Sequence, residues 1–171
     1  MATTYTLISS VTVGAGGVAS IAFTSIPATY TDLHILLSTR NTSGSNGSEQ
    51  IFITLNSSTS NFTHRYLINN AGSNYSDSNV PRTVAFANRD GSTASTYSNS
   101  SIYIPNYAGS NYKSISVDSV NENNATTPGI FQYLSANLWS DTAAITSISF
   151  TLDAADFKQY STAYLYGISN A

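Results

Sequence analysis

The sequence predicts an all-β domain: an antiparallel two-sheet sandwich, jelly-roll-like, with about ten short strands. Three observations carry this reading. Apolar residues recur at every second position along most of the chain, the spacing that lines one face of a strand. Ser, Thr and Asn make up about two-fifths of the 171 residues, and their side chains compete for backbone hydrogen bonds and so disfavour helix. Clusters of Gly, Asn, Asp, Ser and Pro separate the apolar runs and read as turns.

In chain order, Tyr5, Leu7, Val11 and Val13 alternate with Thr and Ser, and Gly14–Gly17 then turns the chain. Ala19, Ile21 and Phe23 form the next strand, which ends before Pro27 because proline cannot continue a ladder. Leu33, Ile35 and Leu37 make a core face, and Leu36 behind them points to a central strand. Residues Arg40–Gln50 read as a long polar loop before the strand of Ile51, Ile53 and Leu55. Phe62, Tyr66 and Leu67 have helical spacing and predict one or two helical turns. Val84 and Phe86 form a short strand that ends at an Asp-Gly turn, Asp90-Gly91. Ile102 and Ile104 alternate with polar neighbours, and Ile115, Val117 and Val120 follow with a phase slip near Asp118 that reads as a bulge. Ile130, Leu134, Ala136 and Leu138 share one face, with Phe131, Tyr133 and Trp139 on the other. Ile148, Phe150 and Leu152 precede a last strand carrying Tyr160, Tyr164 and Tyr166 on one face. No linker interrupts the pattern, so residues 1–171 read as one domain. An immunoglobulin-type sandwich is the weaker alternative, since its Cys…Trp…Cys framework is absent.

Charge excludes some partners. Only 9% of residues are charged, the net charge is −3, and the six Lys and Arg are scattered singly. A phosphate backbone or an anionic membrane surface needs clustered cations, so neither nucleic acid nor membrane is an expected partner. The opening MATTYTLISS lacks the basic and apolar regions of a secretory signal, and none is expected. With no Cys there is no disulfide framework and no thiolate chemistry.

The catalytic inventory is thin. Asp32 and His34 share a strand face, and a Ser would complete a triad, but no Gly-x-Ser-x-Gly elbow occurs. Asp153 and Asp156 are the closest-spaced carboxylate pair and read as a solvated turn. Residues Asp118–Asn123 offer hard oxygens suited to Ca²⁺, without the ligand order of an EF-hand, and read first as a polar strand end. No enzyme, cofactor or metal site is therefore expected.

Aromatics carry more information. Tyr103, Phe131, Tyr133, Trp139, Tyr164 and Tyr166 lie opposite aliphatic core positions. Such outward aromatics form subunit interfaces, or, where loops cover them, a second core layer. Loop residues Tyr75, Tyr107 and Tyr112 are candidates for glycan contact. Two of these, Tyr75 and Tyr112, end the two copies of a repeated pentapeptide, Ala-Gly-Ser-Asn-Tyr, at Ala71–Tyr75 and Ala108–Tyr112. The flanks of the two copies do not keep a common phase, so each reads as a turn and not as a duplicated module. The first is expected within a long surface loop and the second between two strands.

The stretches YTLISSVTVGAGGVASIAFTSIPATYTDLHI, IYIPNYAGSNYKSISVDSVNENNAT and YSTAYLYGI resemble small virion structural proteins of tailed bacteriophages, and the resemblance covers most of the chain. It implies a β-sandwich assembled into the particle, as a capsid decoration (cement) protein or a tail component, and it brings no catalytic motif. The expectation that follows is a non-enzymatic protein on the virion surface. It would form a homo-oligomer, a trimer, bridge neighbouring major capsid subunits, and make contacts through Met1–Thr6 and the outward aromatics. The alternative is a tail or head appendage that binds host surface glycans.

Overall fold

The computed structural model describes residues 4–70, 72–78, 82–123 and 131–169, with the backbone alone described at Tyr75 and Phe131. Among these residues are twelve strands and no helix: β1 (Thr4–Thr12), β2 (Ser20–Phe23), β3 (Asp32–Thr39), β4 (Ser48–Leu55), β5 (Phe62–Asn70), β6 (Ser73–Asp77), β7 (Thr83–Asn88), β8 (Ser98–Ile104), β9 (Lys113–Asn121), β10 (Phe131–Trp139), β11 (Ile148–Leu152) and β12 (Thr162–Ser169). They form an eight-stranded sheet, β1-β12-β3-β8-β9-β10-β5-β6, and a four-stranded sheet, β2-β11-β4-β7. Every strand pairing is antiparallel.

The pairing is nested. β5 pairs with β6, β4 with β7, β2 with β11, and β1 with β12. β3 and β10 continue the series within the large sheet, with the β8–β9 hairpin inserted between them. A long hairpin rolled over on itself in this way is a jelly roll, here widened by one extra hairpin.

The core lies between the sheets. Leu33, Ile35 and Leu37 of β3, Ile102 and Ile104 of β8, Ile115 and Val117 of β9, and Leu165 of β12 face Ile51, Ile53 and Leu55 of β4 and Ile148 and Phe150 of β11. Each set alternates with outward residues, so the period-two pattern becomes the inner face directly.

Four expectations need correction. Phe62–Leu67 is not helical. Phe62, His64 and Ile68 are buried with period two, and the spacing of Phe62 and Tyr66 imitated a helix because the inward residue between them is a histidine. There is no bulge at Asp118: β9 alternates without interruption, with Ser119 and Asn121 buried and Val120 outward. The faces of β10 are reversed. Tyr133, Ser135, Asn137 and Trp139 point inward while Leu134 is exposed, and Asn137 Nδ2 donates to Ser135 Oγ at 3.0 Å inside. The segment Arg40–Gln50 is not a long polar loop: β4 begins at Ser48, and Arg40 and Asn41 are buried.

Arg40 organises one end of the sandwich. Its Nε donates to Asp90 Oδ1 (3.2 Å), Nη1 to the carbonyls of Thr93 (2.9 Å) and Thr96 (2.7 Å), and Nη2 to those of Asp90 (3.0 Å) and Ser92 (2.9 Å). The five N–H groups of a guanidinium are thereby all used. Ser161 Oγ accepts from the Arg40 backbone N–H at 3.1 Å and donates to its carbonyl at 3.1 Å. The β7–β8 connection closes further at Gly91, where a Cβ would lie 2.3 Å from the Gly44 carbonyl oxygen.

Two outcomes test this arrangement. Trp139→Ala is expected to cost about 3–5 kcal/mol by cavity formation, while Leu134→Ala stays within about 0.5 kcal/mol as an exposed change. Urea titrations giving the opposite order would reverse the assignment of β10. Arg40→Lys keeps the charge but supplies three donors in place of a fork of five, stranding buried carbonyls at a cost of about 1–3 kcal/mol each. A fall in urea midpoint without a change in slope is the expected reading.

Candidate interaction surface

One face of the eight-stranded sheet covers the core and the other faces solvent. Register places its outward side chains in rows. One row runs Leu7, Tyr166, His34, Tyr103, Ser116, Ala136 and Arg65 from β1 to β5. The next runs Tyr164, Leu36, Ser101, Asp118, Leu134 and Leu67. Leu134 and Leu67 are 56% exposed, Tyr5 55%, Leu7 51%, and Tyr103 and Tyr164 37% each. Exposed apolar residues thus stand at both sides of this face, separated by Ser101, Ser116 and Asp118, and no layer covers them among the described residues.

The β1 side of the face is built around Asp32. Tyr103 Oη donates to Asp32 Oδ2 at 2.7 Å and the Asn106 N–H to Oδ1 at 2.9 Å. That carboxylate, with burial, pushes the Tyr103 phenol up to about 12. Tyr5 stands edge-on to His34 (5.7 Å) and to Tyr166 (6.2 Å). His34 Nε2 lies 2.7 Å from Ser101 Oγ, and burial lowers the imidazole below its ordinary range. This is the Asp32–His34–Ser grouping that the sequence raised and set aside for want of a nucleophile elbow, and the acid is committed elsewhere: both Asp32 oxygens accept from Tyr103 and Asn106. The pair also sits on β3 and β8, inside a sheet whose backbone N–H groups are engaged in ladders.

Of the six aromatics placed on an interface by sequence, Tyr103, Tyr164 and Tyr166 lie on this face. Tyr133 and Trp139 do not, because the reversed phase of β10 buries them at 2% and 1% exposure. The side chain of Phe131 lies outside the described residues, as do Met1–Thr3. The face also includes Leu67 and Leu134, which sequence reading missed. The inward neighbours of Leu134 are Tyr133 and Ser135, so the aliphatic residue looked like the core, and Leu67 was read as part of helical turns.

The glycan trio does not assemble. Tyr107 is fully buried, donating its hydroxyl to the Pro27 carbonyl and accepting from the Tyr30 N–H at 3.4 Å. Burial raises its phenol. Beside it the Tyr30 ring lies against Gly167, where a Cβ would be 2.3 Å from the ring. Tyr112 is exposed, and the Tyr75 side chain is outside the described residues. Register puts the two on opposite ends of the large sheet: Ser73 pairs with Asn70, which pairs with Phe131, whereas Lys113, next to Tyr112, pairs with Trp139 and through it aligns with Phe62. In the first pentapeptide Gly72, at φ 91°, leads directly into β6, which pairs with β5 and holds residues 73–75, so these residues are strand and not part of a long loop. The second is closed by buried Lys113, whose Nζ donates to the carbonyls of Gly109 (2.7 Å) and Asn111 (2.5 Å). Desolvation lowers this ammonium, with Asp141 opposing. The shared sequence thus leads into a strand in the first copy and forms a turn in the second.

In the suggested calcium segment, Asp118 faces outward and Asn121 inward on the same strand, so the two do not converge on one ion. Among the described residues no group of three or more His, Asp or Glu could hold a metal. No family model matches the chain, and no curated protein matches it.

Beneath the outer face, His64 Nε2 lies 2.5 Å from Tyr133 Oη, which donates to the Thr83 carbonyl at 3.2 Å. His64 Nδ1 is buried and has no hydrogen-bond partner, and the imidazolium carries an N–H there whichever tautomer it forms from. The charged ring therefore holds a buried donor without an acceptor. Burial and then Arg65 lower the His64 pKa, with Asp77 opposing. The unfolded chain therefore takes up this proton first. Stability is full above the ordinary value of 6.5 and is lost as pH falls below it. His34, also lowered, contributes in the same direction. The urea midpoint is expected to drop between about pH 7.5 and about pH 5, and to drop less in His64→Gln. An equal drop in the variant would remove His64 as a source.

Proposed function

We propose that this chain is a non-enzymatic virion structural protein, a capsid decoration protein that stabilises a phage head by bridging major capsid subunits as a homotrimer. The observation that carries the reading is the outward face of the eight-stranded sheet. The face carries two exposed apolar groups, Tyr5, Leu7, Tyr103 and Tyr164 toward β1 and Leu67 and Leu134 toward β5, with Ser101, Ser116 and Asp118 between them. Exposed aromatic and aliphatic groups set among polar residues have the composition of an interface.

β1 extends the same surface to an edge. Its residues from Thr4 to Thr12 carry no charge, and neither Lys nor Pro guards the strand against pairing. Contacts made by such uncharged groups lose little when salt screens charge, and a chain without thiols keeps its chemistry outside a reducing compartment. Both properties suit a particle surface. The glycan-binding alternative is weaker at Tyr75, Tyr107 and Tyr112, since Tyr107 is buried, Tyr75 lies within β6 and Tyr112 on a turn at the opposite end of the sheet.

Two measurements test the proposal. Light scattering on the purified protein is expected to give a trimer mass that falls to the monomer in Leu7→Arg/Tyr164→Arg, with thermal unfolding little changed. A monomer at every concentration would sink the oligomer. In a whole-particle reconstruction the protein is expected in many copies on the head, and a few copies confined to the tail would overturn the decoration role.

A further inference from the structure

We infer that a pocket at the rim of the sandwich, where β3 ends and β8 and β12 begin, binds a single hexopyranose ring of a glycan. The pocket has a volume of about 290 Å³ and is walled by Tyr97, Asp90, Lys158, Gln159 and Tyr160, with Arg40 beneath it. That volume lies just below the roughly 300–1,000 Å³ of most ligand sites and suits one sugar ring. The site is separate from the outer sheet face and does not rest on the head-decoration reading.

Its backbone is unusual. Tyr160 has φ 70°, whereas the other non-glycine residues with positive φ among the described residues, Ser95 beside the pocket included, are all Ser or Asn. A bulky residue with positive φ is an outlier that costs free energy, and such residues cluster at functional sites where the surroundings enforce them. Here the enforcement is explicit. The Tyr160 N–H donates to the Val13 carbonyl at 2.9 Å and the Ser161 N–H to Lys158 at 3.1 Å. On the other side Arg40 clamps the carbonyls of Asp90, Ser92, Thr93 and Thr96. The enforced turn holds the Tyr160 ring in solvent, 67% exposed, the most exposed large apolar side chain among the described residues. Nothing in the fold needs that ring outside.

The polar groups around it match a sugar's hydroxyls. Asp90 Oδ1 is shared by Arg40 and Lys158, which hold the carboxylate below its ordinary range and ionised, and Oδ2 remains as an acceptor. The Lys158 ammonium has three donors and gives one to Asp90, leaving two. Gln159 adds an amide, its backbone carbonyl being held by Tyr97 Oη at 2.9 Å. Adjacent hydroxyls, each a donor and an acceptor, fit a carboxylate beside an ammonium. The polarised C–H face of a pyranose fits the negative face of an aromatic ring.

Heteronuclear NMR of the full chain tests the site, with glucose, galactose, mannose and glucuronate each titrated to millimolar concentration. Saturable shifts confined to residues 94–97 and 158–160 with at least one of these sugars are expected. They should disappear in Tyr160→Gly and weaken several-fold in Gln159→Ala. Because glycine adopts positive φ freely, Tyr160→Gly should raise the melting temperature while losing the sugar. Were Tyr160→Gly to fold poorly, the loss in Gln159→Ala would still decide. No saturable shift with any sugar, or shifts that survive both substitutions, would overturn the inference.

Discussion

A buried guanidinium joins three parts of this fold that the ladders leave apart. Arg40 follows β3, yet its side chain is spent on the β7–β8 connection and its backbone on Ser161, before β12. Burying an isolated cation is costly, and the cost is met here mainly by peptide carbonyls, with one carboxylate, Asp90. Carbonyls cannot be titrated away, so the clamp does not depend on pH in the way an ion pair does. It also orders a connection rich in Ser and Thr that would otherwise have little apolar surface to hold it.

The two sheets are unequal, and that inequality shapes the rest. Four strands cannot cover eight with an apolar layer alone. Inside the large sheet, polar groups therefore pair with one another: Ser100 with Ser119 at 2.8 Å, Thr39 with Ser98 at 2.8 Å, and His64 with Tyr133. Some of the apolar residues displaced from the interior stand on the opposite side, as Leu67 and Leu134 do. Polarity is thus partly inverted across β5 and β10, which is unfavourable for a lone molecule in water and favourable for one whose outer face meets another surface.

That inversion also explains what could be read in the sequence. Where the inward residues are aliphatic, as at Leu33, Ile35 and Leu37 or Ile148 and Phe150, alternation gave strand, face and core together, and the sandwich class followed. Where the inward residues are Ser135 and Asn137, the same rule put the core on the wrong side, and at His64 the polar inward residue hid the alternation and the spacing read as helix. Polar groups buried on partners such as Tyr133 leave no apolar signal. Tyr107 was legible as a turn residue but not as buried, since its partner, the Pro27 carbonyl, lies far away in the chain. The outward positions of Tyr103, Tyr164 and Tyr166 followed from their aliphatic neighbours. Arg40 gave no signal beyond being a lone cation in a polar stretch. The rim pocket needed dihedral angles, which composition does not encode.

The nested pairing sets an order in time. β5 can meet β6 as soon as both exist, and β4 can then close on β7. β1, however, finds its ladder partner only when β12 has been made, nearly the whole chain later, so this contact carries the largest loop-closure cost. Until then the uncharged strand bearing Tyr5 and Leu7 has no neighbour. The outer face consequently becomes continuous in the last step of folding. An unpaired strand of this kind is open to pairing with another chain until β12 is made, whereas only a completed molecule presents the whole surface.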